Sequence, residues 1–455
     1  MGHRQGNIRG LTVGVSGVAG AASPAARAAG TITGFLSQFF YSQVIMAGKF
    51  FASLFMAVAL AGMASEGALA GPRKPKAAPA PEKTADSRAT AEVRLIEVYK
   101  LVAAEKSREA LAKAGSLVLD HPNFQLAQLV YGDLLKAQSK PLRALGDVPQ
   151  DMEKAGAPVL AELRDESRLR LKALRERPPA GSIPSQFLAL SPRNKHAIAV
   201  DASRSRLYLF ENTATGLALV ADYYISVGKS GTEKTIEGDS RTPLGIYFIT
   251  SNLSRKSLKD FYGSGALPIN YPNMLDSKRG KTGSGIWLHG TPPNQFARPP
   301  LSTDGCVVLA NPDLDHIIRT VEIRTTPVVI STQLQWVAPT SARAQGKPFE
   351  DALNAWHNAK ASGNMDRLLS FYTADFTSYG KTLSQWTPTL RGEVKKFQGR
   401  AVALKDVSLL RWTDSADTMV VTFGEVAEGT RIGQTKRQYW IREGNQWKIF
   451  FEGVV

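Results

Sequence analysis

Cysteine is almost missing from this sequence of 455 residues, in which Cys306 is the only one. A lone cysteine cannot form an intrachain disulfide. It is most often a small buried hydrophobic residue, but in an exported protein a free thiol risks oxidation and needs a reason to be kept. Histidine is scarce too, with six residues, and His289 precedes the cysteine in a stretch rich in glycine and proline. We therefore interpret Cys306 as a nucleophile.

Acidic residues are outnumbered, since 40 Asp and Glu face 56 Lys and Arg and leave a net charge of +16. The excess favours an anionic partner, although a soluble surface rich in lysine and arginine would give the same number. The basic residues are spread along the chain without interleaved aromatic residues, so we expect no nucleic-acid partner. Histidines and carboxylates lack the spacing of metal ligands, so neither a metal nor another cofactor is expected.

The N-terminal part has the features of an export signal. Residues 1–43 contain no acidic residue, and a lysine then precedes the uncharged, largely apolar run 50–64 and an Ala-Leu-Ala sequence that ends at Ala70. This pattern predicts a secretory signal peptide, with translation starting at Met46 and cleavage after Ala70. An uncleaved anchor is the alternative, but the apolar run is short for a membrane span. We interpret residues 1–70 as an upstream extension and signal peptide of a protein of the periplasm or cell envelope.

A linker and a helical segment follow. Residues 71–92 are rich in proline, alanine and lysine and have no core-forming pattern. In residues 93–180 apolar side chains then fall at helical spacing, as in Leu95, Val98 and Val102. The segment resembles a tetratricopeptide-like helical pair, although no second copy occurs at the repeat period. It predicts either an interaction or dimerisation module or a helical spacer.

Strands dominate residues 181–336, which we interpret as a mainly-β catalytic domain. The stretch 286–311 organises it, because an apolar run leads into His289 and another follows Cys306. These runs predict two short strands whose ends carry the imidazole and the thiol. A thiol nucleophile needs a base that takes up and returns its proton, and His289 would supply it. Gly305 would let the chain turn, so that its own amide and the amide of Cys306 point at a developing oxyanion.

Three ordered motifs of this domain resemble those of the L,D-transpeptidase catalytic domain of the YkuD type. His289–Thr291 and Thr303–Cys306 match its His-Gly-Thr and Ser/Thr-x-Gly-Cys segments. Upstream, residues 241–248 are similar to its Thr-Pro-x-Gly-x-Phe strand, and residues 226–229 are similar to its Ser-x-Gly segment. The resemblance covers roughly residues 195–331, about a third of the chain.

The resemblance implies a role for each site residue. Cys306 is the nucleophile, His289 is the base and then the acid, and the Gly290 carbonyl orients the imidazole. Oxyanion and substrate contacts are assigned to the other motif residues and to a tyrosine upstream of the histidine: Gly305, Thr303, Asp304 and Tyr271. Tyr271 lies in residues 256–282, which we expect to form a loop over the active site; the alternative for its ring is packing beneath that loop.

Two positions depart from the family, which commonly has His at the position of Asp304 and Arg or Asn at the position of Val308. A carboxylate beside a thiol disfavours the thiolate, because like charges repel. We therefore expect Asp304 to raise the pKa of Cys306 unless a protonated His289 offsets it.

The resemblance also implies acyl transfer on peptidoglycan stem peptides. The thiolate would attack the carbonyl of the L-centre of meso-diaminopimelate in a tetrapeptide stem and expel D-alanine. Transfer to an amine of another stem is L,D-transpeptidase action, and transfer to water is L,D-carboxypeptidase action that trims tetrapeptide to tripeptide. The alternative of another class is a non-catalytic murein-binding scaffold, in which Asp304 has detuned the thiol.

Residues 347–455 form a separate α+β unit after a linker at residues 337–346. Helical spacing is followed by alternating strands that end in an aromatic run at Trp447. A helix through residues 371–376 and this curved sheet are similar to the nuclear-transport-factor-2-like (NTF2-like) fold. We interpret the unit as a binding or dimerising module, so a homodimer would form through it or through the helical segment. The domain order is similar to that of the cell-shape L,D-carboxypeptidases.

Overall fold

The computed structural model describes residues 90–397, 402–427 and 433–455. The predicted signal peptide, the start at Met46 and most of the linker 71–92 lie outside these ranges. Within them, no helix is both long and apolar enough to cross a membrane. The described residues belong to one compact unit. The predicted fold class, a helical segment followed by a β-rich domain and an α+β domain, is confirmed.

The described chain begins with helices that pack on the catalytic domain. They are α1 (Ala91–Ala103), α2 (Ser107–Asp120), α3 (Gln125–Ala137) and α4 (Gln150–Arg175). The Thr90 side chain caps α1 by accepting a hydrogen bond from the Val93 amide at 3.3 Å. Leucines at helical spacing fill the core of the segment, and this core also takes in Phe296 from the catalytic stretch. The segment therefore shares its core with the domain that follows.

One large sheet forms the catalytic domain. The strands of this part of the chain are β1 (Ile183–Pro184), β2 (Phe187–Ala189), β3 (His196–Asp201), β4 (Arg206–Thr213), β5 (Gly216–Gly228), β6 (Gly245–Phe248), β7 (Leu253–Ser254), β8 (Gly265–Pro268), β9 (Trp287–His289), β10 (Leu301–Thr303), β11 (Val307–Leu309), β12 (Pro327–Ser331) and β13 (Trp336–Val337). The sheet has the order β6-β12-β3-β4-β5-β11-β9-β8-β7, and β10 pairs with β5. Two helices accompany it, α5 (Met274–Lys278) and α6 (Asn311–Thr320). The order brings β9 and β11 side by side in its middle.

The C-terminal domain combines helices with a curved antiparallel sheet. Its elements are α7 (Pro339–Ala361), α8 (Met365–Leu369), β14 (Thr377–Ser378), β15 (Lys381–Thr382), α9 (Leu383–Phe397), β16 (Val402–Thr413), β17 (Asp417–Ala427), β18 (Gln434–Glu443) and β19 (Gln446–Val454). The sheet order is β19-β18-β17-β16-β2. Its edge strand β2 comes from ahead of the catalytic sheet, with Ala189 paired to Leu409.

The structure corrects two local predictions in this region. The predicted linker at 337–346 is mostly helical, because α7 begins at Pro339, where the fixed φ of proline suits a first helical position. The predicted helix at 371–376 is wrong. The Ile449 amide donates to the Phe371 carbonyl at 2.7 Å, and the Thr373 amide donates to the Ile449 carbonyl at 2.9 Å. The backbone of this segment is thus hydrogen-bonded to β19.

A shared hydrophobic core joins the catalytic and C-terminal domains. One cluster contains Tyr208 and Phe248 from the catalytic sheet, Phe187 from β2, and Trp356 and Trp440 from the C-terminal domain. The predicted boundary between residues 336 and 347 therefore does not separate two independent cores, since β2 and this cluster cross it.

Candidate active site

Parallel pairing of β9 with β11 places Cys306 and His289 at neighbouring strands. Val307 pairs with Leu288, and Val308 pairs with His289. One step back in this register places Cys306 beside Trp287, two residues before His289. Because side chains two residues apart point to the same face of a strand, both groups lie on one face of the sheet. His289 is the last residue of β9, and Cys306 directly precedes β11.

His289 is buried and held in one orientation. Its side chain is 2% exposed, and Nδ1 donates to the Gly290 carbonyl at 2.8 Å. This bond sets the tautomer and leaves Nε2 as the site for proton transfer. Burial lowers the pKa of His289 to about 4; the Gly290 bond raises it slightly, and the nearby Arg298 guanidinium lowers it further. The imidazole is therefore neutral at pH 7.

The Cys306 thiol is protonated in the same conditions. Burial raises its pKa above the ordinary cysteine value, opposed by a backbone hydrogen bond from Trp287 and by the positive charge of Arg298. The thiol donates to the Gly285 carbonyl at a sulfur–oxygen distance of 3.5 Å. The resting pair is thus a neutral thiol and a neutral imidazole, which suits general-base catalysis better than a preformed ion pair.

The turn before Cys306 is fixed by hydrogen bonds among the motif residues. Thr303 Oγ1 donates to the Cys306 carbonyl at 2.7 Å and accepts the Gly305 amide at 3.1 Å. Gly305 has φ +127°, and a Cβ atom there would lie 2.7 Å from the Arg241 carbonyl oxygen, so only glycine fits. The prediction that the Gly305 amide serves as an oxyanion donor is not supported, because Thr303 already accepts it. The Cys306 amide is left for that role.

The two upstream motifs meet at this turn. Thr242 Oγ1 accepts the Gly228 amide at 2.8 Å and donates to the Gly305 carbonyl at 2.9 Å. Residues that are far apart in sequence therefore act together as one support for the nucleophile.

Two protein-family models match parts of this chain. Residues 195–330 match the L,D-transpeptidase catalytic domain family, YkuD. This chain carries an L,D-transpeptidase catalytic domain. Residues 349–453 match the Cds6 C-terminal NTF2-like domain family. Both predicted domain types are confirmed, and the first supports an activity on peptidoglycan.

Two solved structures are similar to more than half of this chain. Bd1075 of Bdellovibrio bacteriovorus is 24% identical with a TM-score of 0.52, over 60% of this chain and 98% of that one. The helical cell shape determining protein Pgp2 of Campylobacter jejuni is 20% identical with a TM-score of 0.47, over 63% of this chain and 99% of that one. At 24% identity, the likeness to Bd1075 shows the fold. A comparison with curated proteins gave no match.

Asp304 of the L,D-transpeptidase domain acts less on the thiol than its position suggests. Its carboxylate is 80% exposed, accepts from Lys229 Nζ at 2.7 Å, and lies 3.3 Å from Ser240 Oγ. The bond with Lys229 is the main reason that the pKa of Asp304 is lowered. Asp304 does raise the pKa of Cys306, but burial is the larger cause. The expected offset by a protonated His289 is absent, since His289 is neutral.

Tyr271 is placed away from an oxyanion role. Its side chain is 5% exposed, and its hydroxyl donates to the Thr282 carbonyl at 3.0 Å. The hydroxyl proton of Tyr271 is thus engaged in this hydrogen bond and is not free to bind an oxyanion. The alternative interpretation, a ring that packs beneath the loop, describes its contacts better.

The predicted loop reaches the site through two other aromatic residues. The ring of Tyr262 meets the His289 ring edge-on at 5.1 Å between centroids, and Phe261 lies at 5.8 Å. The Tyr262 carbonyl accepts the Gly290 amide at 3.1 Å. These rings cover the imidazole and contribute to its burial.

Sequence reasoning missed Asn311, the first residue of α6. Its Oδ1 accepts the amides of Ser264 at 2.9 Å and Thr291 at 3.2 Å, and its Nδ2 donates to the Thr291 carbonyl at 2.9 Å. A Cβ atom at Gly290 would lie 2.1 Å from this Oδ1, so a larger residue there would displace the Asn311 amide. Asn311 thereby fixes the turn whose Gly290 carbonyl orients His289. Its only sequence signal is its place directly after the nucleophile strand.

A cavity of about 670 Å³ lies in the C-terminal domain, apart from the thiol. Aromatic and basic side chains line it together, among them Phe371, Trp447, Arg367 and Arg442.

Among the described residues, no group of three or more His, Cys, Asp or Glu side chains is arranged to hold a metal ion.

Proposed function

We propose that this protein is a periplasmic L,D-transpeptidase that cleaves the meso-diaminopimelate–D-alanine bond of peptidoglycan tetrapeptide stems and transfers the acyl group to an amine. The observation that carries the proposal is the placement of Cys306 and His289 on one face of β9 and β11, with His289 Nδ1 bound to the Gly290 carbonyl. This leaves Nε2 available to accept the thiol proton.

The first half of the reaction forms an acyl-enzyme. As Cys306 Sγ bonds to the carbonyl carbon of the L-centre, Nε2 of His289 takes the thiol proton. The Cys306 amide donates to the oxygen that becomes negatively charged. When the tetrahedral intermediate collapses, the carbon–nitrogen bond breaks and the imidazolium gives its proton to the leaving amine of D-alanine. With a pKa of about 4, His289 is neutral at pH 7 and can accept the thiol proton, and the imidazolium that forms is acidic enough to protonate the leaving amine.

The second half depends on the acceptor. An amine of another stem loses a proton to His289 as it attacks the thioester, and the product is a crosslink. Water in the same position would give a tripeptide, which is L,D-carboxypeptidase action by the same residues. The proposed location rests on the signal-peptide pattern before residue 71, and a homodimer through the helical or C-terminal domain stays a prediction.

Mass spectrometry of the purified protein incubated with disaccharide-tetrapeptide tests the proposal, with Cys306→Ala as the control. We expect crosslinked dimer, and exchange when a free D-amino acid is added, both absent from the variant. Tripeptide alone would assign the carboxypeptidase reaction. Absence of any product, together with absence of an acyl adduct on Cys306, would leave the murein-binding scaffold.

A further inference from the structure

Arg298 carries an unpaired positive charge inside the candidate site. It lies between the two catalytic motifs and is 9% exposed, and its buried Nε has no hydrogen-bond partner. Across the described residues, no carboxylate approaches its guanidinium within ion-pair distance. Burying a charge without a partner is costly, so such a group is expected to bind an anion.

The guanidinium lies near the reacting groups. It stacks on the Phe261 ring at 4.4 Å from the centroid, and Phe261 in turn contacts His289. It also lies close enough to Cys306 and His289 to influence the pKa of both. The carboxylate that acts electrostatically on Arg298 is that of Asp304. Asp304 accepts a hydrogen bond from Lys229 and not from Arg298. The fork of Arg298 is therefore available to an anion beside the thiol.

The backbone around Arg298 is held from the catalytic sheet. Its carbonyl accepts hydrogen bonds from Tyr224 Oη and Ser226 Oγ, both at 2.9 Å. Two hydroxyl groups of β5 thus fix the backbone of Arg298.

The helical segment holds the same loop from the other side. Phe296 stacks on Phe124 of the helical segment at 4.3 Å between centroids, and its amide donates to the Asn123 carbonyl at 3.0 Å. Asn123 Nδ2 donates to the Pro293 carbonyl at 3.0 Å. A cation fixed in this way loses little conformational freedom on binding, which favours recognition of one carboxylate geometry.

We propose that Arg298 binds the terminal carboxylate of the donor peptide, on the residue that leaves during acyl transfer. The inference rests on the proposed function and names the specificity of the same site. That carboxylate lies one residue beyond the scissile bond, and the Arg298 guanidinium is an unpaired cation of the same site. Arg298 thereby selects stems that end directly after the scissile bond, since a longer stem carries its carboxylate farther away.

Paired substrates separate this role from an effect on the thiol. We compare a disaccharide-tetrapeptide with its C-terminal amide, using the wild-type protein, Arg298→Gln and Arg298→Lys. The wild type should favour the acid by roughly 10- to 100-fold in kcat/KM, because hydrogen bonds to charged groups contribute on this scale. Arg298→Gln should turn over the acid and the amide at about equal rates, whatever its effect on the thiol, and Arg298→Lys should keep part of the preference. Equal slowing of both substrates with an unchanged ratio would overturn the proposal.

A binding measurement makes the test independent of turnover. In the Cys306→Ala background, calorimetry should give a Kd for the acid peptide that Arg298→Gln weakens roughly 10- to 100-fold and the exposed control Arg319→Gln leaves unchanged. If the wild type turns over neither substrate, the proposed reaction fails while this measurement still decides the carboxylate site. Equal affinity of the acid and amide peptides for the Arg298-containing protein would overturn the site. Circular dichroism and thermal melting establish that each variant is folded.

Discussion

The Cys306 thiol is predicted to react slowly with alkylating agents at neutral pH. Burial raises its pKa above the ordinary cysteine value, so the thiol form predominates at pH 7 and thiolate accumulates only as the pH rises. His289, with a pKa of about 4, is neutral over this range and supplies no positive charge to stabilise the thiolate. The prediction follows from a neutral catalytic pair in which desolvation disfavours the charged form of each group.

Iodoacetamide and intact-protein mass spectrometry provide the assay. Because Cys306 is the only cysteine in the sequence, every added carbamidomethyl group reports this one thiol. Second-order rate constants measured from pH 5 to pH 10 should rise steadily with pH through the neutral range, without a plateau below pH 7. His289→Gln should leave this profile nearly unchanged while it abolishes turnover. Arg298→Gln should move the profile to higher pH, since the guanidinium lowers the pKa of the thiol.

A preformed thiolate–imidazolium pair would give a different pH profile. A plateau below pH 7 that disappears in His289→Gln would reveal a thiolate–imidazolium pair, whose thiol pKa falls to roughly 3–4 in other enzymes. That result would refute the reasoning from burial and replace general-base catalysis with attack by a preformed thiolate. Asp304→Asn serves as the control, because a carboxylate that is 80% exposed and paired with Lys229 should shift the profile only slightly.

Three further predictions concern the supports of the site. Asn311→Ala removes the hydrogen bonds that fix the Gly290 turn, so kcat should fall by roughly 10- to 100-fold while KM changes little; steady-state kinetics measures this, and an unchanged kcat would contradict it. Phe296→Ala removes the stacking on Phe124 and should lower the free energy of unfolding by about 3 kcal/mol in urea denaturation, with Phe296→Leu losing much less; equal losses would argue against a packing role. Tyr271→Phe should cost about 1 kcal/mol of stability through the lost bond to Thr282 but leave kcat within a few-fold, whereas a large drop in kcat would restore the oxyanion interpretation.

The chemical centre could be predicted from local sequence. His289 and Cys306 stand at the ends of short apolar runs beside glycine, and these local signals survive folding because strands and tight turns depend on neighbouring residues. The alternating pattern after residue 400 likewise predicted the strands of the C-terminal sheet, and the structure has them at β16 to β19.

Tertiary contacts explain what the sequence did not reveal. Asn311 and Arg298 act through partners from other segments, and nothing within a few residues of either distinguishes it from a helix start or a loop arginine. The resemblance assigns Tyr271 to the oxyanion, but its hydroxyl donates to the Thr282 carbonyl instead. The segment 371–376 has helical spacing, yet bonds from its backbone to Ile449 outweigh that preference.

Strand β2 has a consequence for how the C-terminal domain can be moved between proteins. It lies ahead of the catalytic domain in sequence but completes the edge of the C-terminal sheet beside β16. A fragment that starts at α7 would present an open strand edge and the apolar surface that Phe187 and Leu188 cover, which invites pairing with other chains. The C-terminal domain therefore cannot be transferred to another protein as residues 339–455 alone. A fusion or recombination event that keeps it soluble must also include residues 187–189, which precede the catalytic sheet in the sequence.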